Sequence, residues 1–195
     1  VNYCPNETIQ GVAYHEIPNI NKPLIADASS VILSEPLDVN KFSLIYAGAQ
    51  KNIGPAGLTI VIIDRDFMEY GNPNIPNILK YSEHSLSESM LNTPPTFAWY
   101  MAGKVFKWIK DSGGLDYFKT QNHKKASKLY EFIDNSSFYS NNVDSVNRSI
   151  MNVPFLLAND DLDKTFLSEA EDNELLNLKG HRSVGGMRAS IYNAM

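Results

Sequence analysis

The sequence predicts an α/β protein with a mixed β-sheet, followed by a smaller α+β unit. Three short runs, 23–27, 43–47 and 58–63, are rich in the β-branched and aromatic residues typical of buried strands. The connection 28–42 is long enough for a parallel crossover, whereas 48–57 is shorter than such a crossover requires. We therefore expect the first two strands to be parallel and the last two antiparallel.

The chain begins with a further strand candidate, 1–4, which runs into the polar turn 5–11. Ligands bind at strand ends in open α/β sheets, so Thr8 of this turn is a candidate binding residue. The alternative is that its hydroxyl bonds the local backbone. Cys4 is the only cysteine, which excludes an internal disulfide and fits a reducing compartment. We expect Cys4 to be a small buried side chain rather than a nucleophile.

Two ionisable side chains follow the predicted strands. Asp27 ends one strand, and a carboxylate there needs a cation, N–H donors or a protonated ring nitrogen, unless it only caps the turn through Ser29 and Ser30. Lys51 lies in a turn of small residues. Such a turn lets its side chain point into a cleft, and the alternative is an ordinary solvated loop lysine. At one sheet edge the two would form the pair that pyridoxal phosphate chemistry requires, an amine for a Schiff base and an acid for the pyridine nitrogen.

Two helices are predicted after an irregular, polar stretch at 64–90. The first opens with Thr93 as its N-cap and a proline in its first turn, and it ends at 112–114. Asn92 and Thr93 are candidate phosphate ligands at this helix start, with plain capping as the alternative. The second helix covers 115–133 and is expected to turn three lysines to solvent: Lys124, Lys125 and Lys128.

A smaller α+β unit is predicted in the last part of the chain, beginning between about 115 and 136. We place the boundary so that the domains are 1–118 and 119–195. The elements expected in the second domain are strands at 150–157, 175–178 and 187–192 and a helix at 161–171.

Two of the four arginines of the chain, Arg182 and Arg188, lie close together in this unit, and His181 precedes the first. The planar guanidinium group matches carboxylate and phosphate oxygens. These residues are therefore candidate anion-binding groups, with simple surface charge as the alternative.

Composition excludes several functional classes. The chain has 195 residues and 43% hydrophobic content, enough to bury a sizeable core. No apolar run approaches the roughly 18 residues of a membrane helix, and no signal-peptide pattern is present. A net charge of -5 without a basic stripe argues against a nucleic-acid partner. We expect a cytoplasmic protein that acts on small molecules.

Six segments of the sequence carry a family resemblance. They read YCPNETIQG, ADASS, YAGAQKNIGPAGLTIVI, NTPPTFAWY, NRSIMNVPF and KGHRSVGGMRASIYNAM. Together they resemble the phosphoserine aminotransferase family, a group of class V aminotransferases among the fold-type I pyridoxal phosphate enzymes. The resemblance covers essentially the whole chain. It implies the mostly parallel sheet of a fold-type I large domain and a small C-terminal domain.

The resemblance also implies a role for each candidate cofactor-binding residue. Lys51 would form the Schiff base with pyridoxal 5'-phosphate and move the proton, and Asp27 would pair with the pyridinium nitrogen. The remaining contacts would be Thr8 at the phenolic oxygen, Gln50 at the phosphate, and Asn92 and Thr93 at the phosphate bound by the other subunit of a homodimer.

The implied reaction transfers an amino group from glutamate to 3-phosphohydroxypyruvate, which gives phosphoserine and 2-oxoglutarate. His181 and Arg182 would bind the substrate phosphate, and Arg188 its carboxylate. The reaction belongs to serine biosynthesis, and in bacteria the family also serves vitamin B6 synthesis.

Two alternatives stay open. A class V lyase or desulfurase would keep Lys51 and Asp27, but a desulfurase needs a mobile catalytic cysteine and Cys4 is poorly placed for that role. The other alternative is a catalytically incomplete module that serves only in assembly.

Family members carry a long portion before YCPNET, with a glycine-arginine pair and a ring-stacking aromatic residue, and a short tail after NAM. We therefore expect these residues to be part of a longer protein.

Overall fold

A computed structural model describes residues 1–195, and its first part is built on a mixed β-sheet. The strands are β1 (Asn2–Tyr3), β2 (Asn6–Glu7), β3 (Val12–Ala13), β4 (Ile25–Asp27), β5 (Leu44–Gly48) and β6 (Thr59–Ile63). The sheet order is β1-β4-β5-β6, with parallel pairing from β1 to β5 and antiparallel pairing of β5 with β6. The α/β class and the mixed sheet predicted from the loop lengths are confirmed.

The centre of this sheet is held by an apolar core. Ala26 of β4 and Ile45 and Ala47 of β5 are almost completely buried, and Ile53 from the following loop packs with them. Burying a side chain such as Ile45 stabilises the fold by about 1.5–3 kcal/mol. This packing fixes the register of the two parallel strands, which places Asp27 opposite Tyr46 at their carboxyl ends.

The polar turn after β1 is an antiparallel hairpin formed by β2 and β3. The Glu7 carboxylate accepts hydrogen bonds from the backbone N–H groups of Ile9, at 2.9 Å, and Gln10, at 2.7 Å, which stabilises the turn. Gly11 closes it with a φ of +68°, and a Cβ atom there would lie 2.4 Å from the side chain of Pro154. The hairpin therefore packs tightly against the second part of the chain.

Four helices follow the sheet: α1 (Arg65–Met68), α2 (Tyr81–Leu86), α3 (Thr96–Asp111) and α4 (Gly114–Asp134). The prediction of an irregular stretch at 64–90 is wrong in part, because it contains α1, α2 and a 3-10 turn at Asn77–Leu79. The side chain of Asp64 accepts from the N–H group of Phe67 and caps α1, a local signal that the sequence does contain. None of the helices is long and apolar enough to cross a membrane.

Two expectations for the long helices need correction. Thr93 does not cap α3, which begins at Thr96, because Pro94 precedes Pro95 and a residue before proline disfavours helical backbone. Lys125 does not face open solvent. Its ammonium group donates to the backbone oxygens of Ile191, at 3.0 Å, and Tyr192, at 2.7 Å, since it lies beside the buried stripe of α4.

The second part of the chain is an antiparallel sheet, with β7 (Tyr139–Ser140) and β9 (Met187–Ser190) on either side of β8 (Asn152–Leu157), and a helix, α5 (Asp163–Asp172). Its core contains buried residues of α4, β8 and β9. The predicted strand at 175–178 is absent. Glu174 and Asn177 have left-handed backbone, with φ of 63° and 62°, which a strand cannot accommodate.

A buried polar cluster joins the hairpin to both sheets. The Asn6 side chain, 1% exposed, donates to Ser30 Oγ at 2.8 Å and to Asn152 Oδ1 at 2.9 Å, and it accepts from Ser149 Oγ. Ser30 follows β4, and Asn152 begins β8. Asn6 therefore fixes how the first part of the chain meets the second.

We expect Asn6→Ala to lower the free energy of unfolding by about 2–3 kcal/mol, because buried partners of a deleted amide stay unsatisfied. Urea denaturation followed by circular dichroism measures this change. The control is Asn40→Ala at an exposed asparagine, which should have little effect. Equal denaturation midpoints for the two variants would contradict a structural role of the Asn6 cluster.

Candidate active site

The loop that carries Lys51 begins where β5 ends. Ala49, which is fully buried, donates its N–H to Leu58 O at 2.9 Å, and its carbonyl accepts from the N–H groups of Lys51, at 2.7 Å, and Gly54, at 2.8 Å. These bonds fold residues 49–54 into a compact turn. Asn52 and Ile53 are buried behind it, so the backbone on both sides of Lys51 is held in place.

The Lys51 side chain is half-buried, and its Nζ atom donates a hydrogen bond to Thr8 Oγ1 at 3.1 Å. Burial lowers the pKa of Lys51, because the charged ammonium form loses hydration. The negative charge of Asp27 opposes this shift, and the positive charge of Arg188 adds to it. Lys51 is therefore not a freely solvated loop lysine, and it deprotonates more readily than an ordinary lysine.

Asp27 lies at the end of β4, close enough for its charge to act on Lys51. Its Oδ1 atom accepts from the N–H group, at 3.0 Å, and the hydroxyl, at 2.6 Å, of Ser29. The Ser29 hydroxyl also accepts from the N–H group of Gly48 at 3.0 Å, which ties the ends of β4 and β5 together. Ser30 takes no part in this arrangement, since it bonds to Asn6.

A shallow concavity of about 310 Å³ opens beside Asp27, and its other lining residues are Asn2, Tyr3, Cys4 and Tyr46. The expectation that Cys4 is buried is wrong: it lies exposed on the rim, just beyond β1. Its thiol donates to the Asn6 carbonyl at 3.1 Å. Burial raises the pKa of Tyr46, and the charge of Asp27 raises it further.

Arg188 enters the same region from β9. Its Nη1 atom donates to the Thr8 carbonyl at 3.4 Å, and its Nε atom is buried without a partner in the structure. Thr8 therefore contacts Lys51 through its side chain and Arg188 through its backbone. A buried unpaired guanidinium nitrogen is costly, which is typical of a group that is paired when a ligand is bound.

His181 and Arg182 lie on the loop between residues 180 and 186. His181 Nδ1 bonds to the Ser183 hydroxyl at 2.7 Å, and Arg182 is exposed and forms no ion pair. A Cβ atom at Gly180 would lie 2.1 Å from the Gly185 carbonyl, so the loop closes this tightly only with glycine. The loop presents cationic and imidazole groups at the surface near Arg188.

The other predicted cofactor residues are exposed. The Gln50 side chain folds back over Gly48, where a Cβ atom would lie 2.6 Å from Gln50 Oε1. Asn92 donates only to the neighbouring Thr93 carbonyl, at 3.2 Å. No hydrogen bond or ion pair connects Asn92 or Thr93 to Lys51.

Tyr192 is a site residue that the sequence reasoning missed. Its hydroxyl accepts from Asn152 Nδ2 at 3.0 Å and lies near the Thr8 side chain. Burial raises the pKa of Tyr192, whereas the bond from Asn152 lowers it. The sequence contained a signal for this residue. Side chains alternate along an extended segment, so Tyr192 lies on the same face as Ser190 and as Arg188, which was predicted to belong to the site.

These residues fit pyridoxal 5'-phosphate. The cofactor requires a reactive amine, an acid for its ring nitrogen and room for a flat ring. Lys51 is a half-buried amine with a lowered pKa, and Asp27 lies within electrostatic range of it beside an open concavity.

Comparison with known proteins identifies one matching family, and the similar proteins belong to the same class of enzyme. The family model for class-V aminotransferases matches residues 1–195. A phosphoserine aminotransferase from Acinetobacter baylyi is 60% identical over 195 residues, which are all of this chain and 54% of that protein. The chain thus spans about half the length of the curated relatives it matches.

Solved structures of phosphoserine aminotransferases have the same fold. The one from Bacillus circulans subsp. alkalophilus has a TM-score of 0.96 and 47% identity over 99% of this chain and 54% of that one. The PLP-bound one from Trichomonas vaginalis has a TM-score of 0.94 and 43% identity, with 99% and 55% covered. The predicted fold and cofactor are thereby confirmed at the level of the family. This chain belongs to the class-V aminotransferase family.

Proposed function

We propose that this chain forms the lysine-bearing part of a phosphoserine aminotransferase, which transfers an amino group between glutamate and 3-phosphohydroxypyruvate. The observation that carries the proposal is the Lys51 amine, half-buried, bonded to Thr8 and within range of the charges of Asp27 and Arg188. The similarity to phosphoserine aminotransferases supports the choice of substrates.

Lys51 is the residue that moves the proton in this proposal. Burial favours its neutral amine, which can attack an aldehyde and can also accept the proton of the substrate Cα–H bond. Pyridoxal phosphate supplies an electron sink that acidifies this bond. Thr8 orients the amine, and Asp27, held by Ser29, is placed to stabilise a protonated ring nitrogen.

The substrate anions are bound by different groups. Arg188, with its unpaired Nε, is suited to the α-carboxylate that both substrates share. Arg182, exposed and without an acidic partner, and His181 beside it are suited to the phosphate. The second pair would bind the phosphate of 3-phosphohydroxypyruvate, which favours this substrate over the same keto acid without its phosphate.

Other assignments belong to the same proposal. The cofactor phosphate would be bound by Gln50 and, in a homodimer, by the partner chain through the residues equivalent to Asn92 and Thr93, whose exposure leaves them free to do so. The same proposal includes a cytoplasmic location and roles in serine and vitamin B6 synthesis, which the family resemblance implies.

We also propose the domains 1–118 and 119–195. Two separate apolar clusters support this division. The boundary falls inside the continuous helix α4. Any movement of one domain relative to the other would therefore bend this helix or move it together with one of the domains.

We expect Lys51→Ala to abolish the borohydride-stable adduct with pyridoxal phosphate and to lower transamination by about 10³-fold or more, because it removes both nucleophile and base. Mass spectrometry of the reduced protein locates the adduct. Lys41→Ala, at an exposed lysine, is the control and should retain it. An adduct of undiminished yield in the Lys51 variant would overturn the assignment.

The same reduction applied to the 195-residue chain by itself separates two possibilities. An adduct on Lys51 would show that these residues bind the cofactor unaided. No adduct, together with an adduct in a full-length protein carrying the same residues, would show that other segments complete the site.

Asp27→Asn should lower the pKa of Lys51 further, because the Asp27 carboxylate favours the charged ammonium form. In cofactor-free protein, the acetylation of Lys51 by trace acetic anhydride should therefore reach its midpoint at lower pH in the variant. The acetylation of exposed Lys41 in the same sample serves as the internal control for the reagent. A rise of the Lys51 midpoint would show that the two groups do not interact as proposed.

Arg182→Gln and Arg188→Gln should have different effects on the two substrates. The first should raise KM for 3-phosphohydroxypyruvate by about 10-fold or more and leave KM for glutamate unchanged, since a charge-assisted bond to phosphate is lost. The second should raise KM for both substrates, because both carry an α-carboxylate. Steady-state kinetics at varied concentrations of each substrate tests this, and identical patterns for the two variants would contradict the assignment.

A further inference from the structure

Three buried asparagines lie directly behind the Lys51 loop: Asn52, Asn122 and Asn193. Each donates its side-chain amide to one of three consecutive backbone carbonyls. Asn52 Nδ2 bonds to Ile32 O at 3.0 Å, Asn193 Nδ2 to Leu33 O at 2.8 Å and Asn122 Nδ2 to Ser34 O at 2.9 Å. We call these three residues the asparagine triad.

The triad is also bonded internally. The N–H group of Asn193 donates to Asn52 Oδ1 at 3.0 Å, and Asn122 Nδ2 donates to Asn193 Oδ1 at 2.8 Å. Asn122 gives both donor hydrogens to these bonds and leaves its own Oδ1 buried without a partner. The bonds to Ser34 and Asn193 therefore set the orientation of the Asn122 amide, even though its Oδ1 atom is left without a hydrogen bond.

The segment that receives the three amides has unusual backbone. Leu33 has a φ of +63°, a left-handed conformation that branched or bulky residues rarely adopt. Such strain persists only where the surrounding structure imposes it. Here the three asparagine amides hold the carbonyls of residues 32–34 in place.

The triad connects the loop of Lys51 with the segment that follows β9, the strand of Arg188. Asn52 is the residue after Lys51, and Asn193 follows Arg188 in the short segment that leaves β9. Lys125 binds the same segment through the carbonyls of Ile191 and Tyr192. The position of Asn52, and with it the backbone of Lys51, therefore depends on the segment 191–193 that follows the strand of Arg188.

We propose that Asn193 is a positioning residue for the transamination, which holds Lys51 and Arg188 at the separation needed to present the substrate Cα–H bond to the Lys51 amine. The inference rests on the proposed function. The side-chain bonds of Asn193 to Leu33 and Asn122 fix its backbone, whose N–H group donates to Asn52 Oδ1 beside Lys51, so Asn193 acts through Asn52. Proton transfer is sensitive to such placement, and a displacement of about 1 Å can cost about 10²-fold in rate.

Asn193→Ala in a full-length protein carrying these residues, loaded with pyridoxal phosphate, tests the proposal. We expect kcat to fall by about 10-fold or more, with KM for glutamate little changed because Arg188 remains. The primary isotope effect on kcat with Cα-deuterated glutamate should rise, since misplacement of the base slows the proton transfer. A purely structural role would reduce stability and active fraction without changing the isotope effect.

Asn173→Ala is the matched control. It deletes an asparagine amide that bonds to the Glu169 carbonyl at 2.7 Å, at the end of α5, a helix that carries none of the proposed site residues. We expect it to lower Tm while kcat per active site and the isotope effect stay at their unmodified values. If Asn193→Ala behaves like this control, the positioning role is wrong although the proposed function stands.

A second variant covers the case in which Asn193→Ala does not fold. Asn122→Ala removes one bond to Asn193 and leaves all residues adjacent to Lys51 and Arg188 unchanged. It should change kcat and the isotope effect in the same direction, and unchanged values would overturn the proposal. If the unmodified protein shows no transamination of either substrate, the proposed function itself fails.

Discussion

The partial burial of one amine is the constraint on which the rest of the site depends. Burial destabilises the ammonium form of Lys51 and so lowers its pKa, while its Nζ atom donates to Thr8 Oγ1. The carboxylate of Asp27 limits the shift. Too little burial would leave a charged surface lysine, whereas burial without Asp27 would remove the charge that opposes the fall in the Lys51 pKa.

Polar networks rather than apolar packing hold the two parts of the chain together at this point. Asn6 with its serine and asparagine partners lies on one side of Thr8, and the asparagine triad lies behind Lys51. Apolar contacts tolerate small sliding motions, but hydrogen bonds have narrow distance and angle limits. A site that must hold an amine, an acid and a guanidinium at fixed separations gains from this directionality.

The local features of the fold were predictable because their causes are local. Loop length separated the parallel from the antiparallel strand pair, and apolar runs located β4, β5 and β6. The errors have equally local reasons. Consecutive prolines delay the start of α3, and left-handed residues prevent a strand at 175–178. Cys4 and Lys125 were misjudged because exposure depends on distant residues that pack beside them.

The order of the residues is enough to identify the chemical groups: an amine in a small-residue turn, an acid at a strand end, and arginines in a glycine-rich segment. Which of these groups meet depends on the folded chain. Thr8 contacts Lys51 across 43 positions and Arg188 across 180 positions of the chain. Propensity and periodicity act over a few residues, whereas these contacts arise where two separately packed cores come together. For the same reason the asparagine triad emerges only from the folded chain.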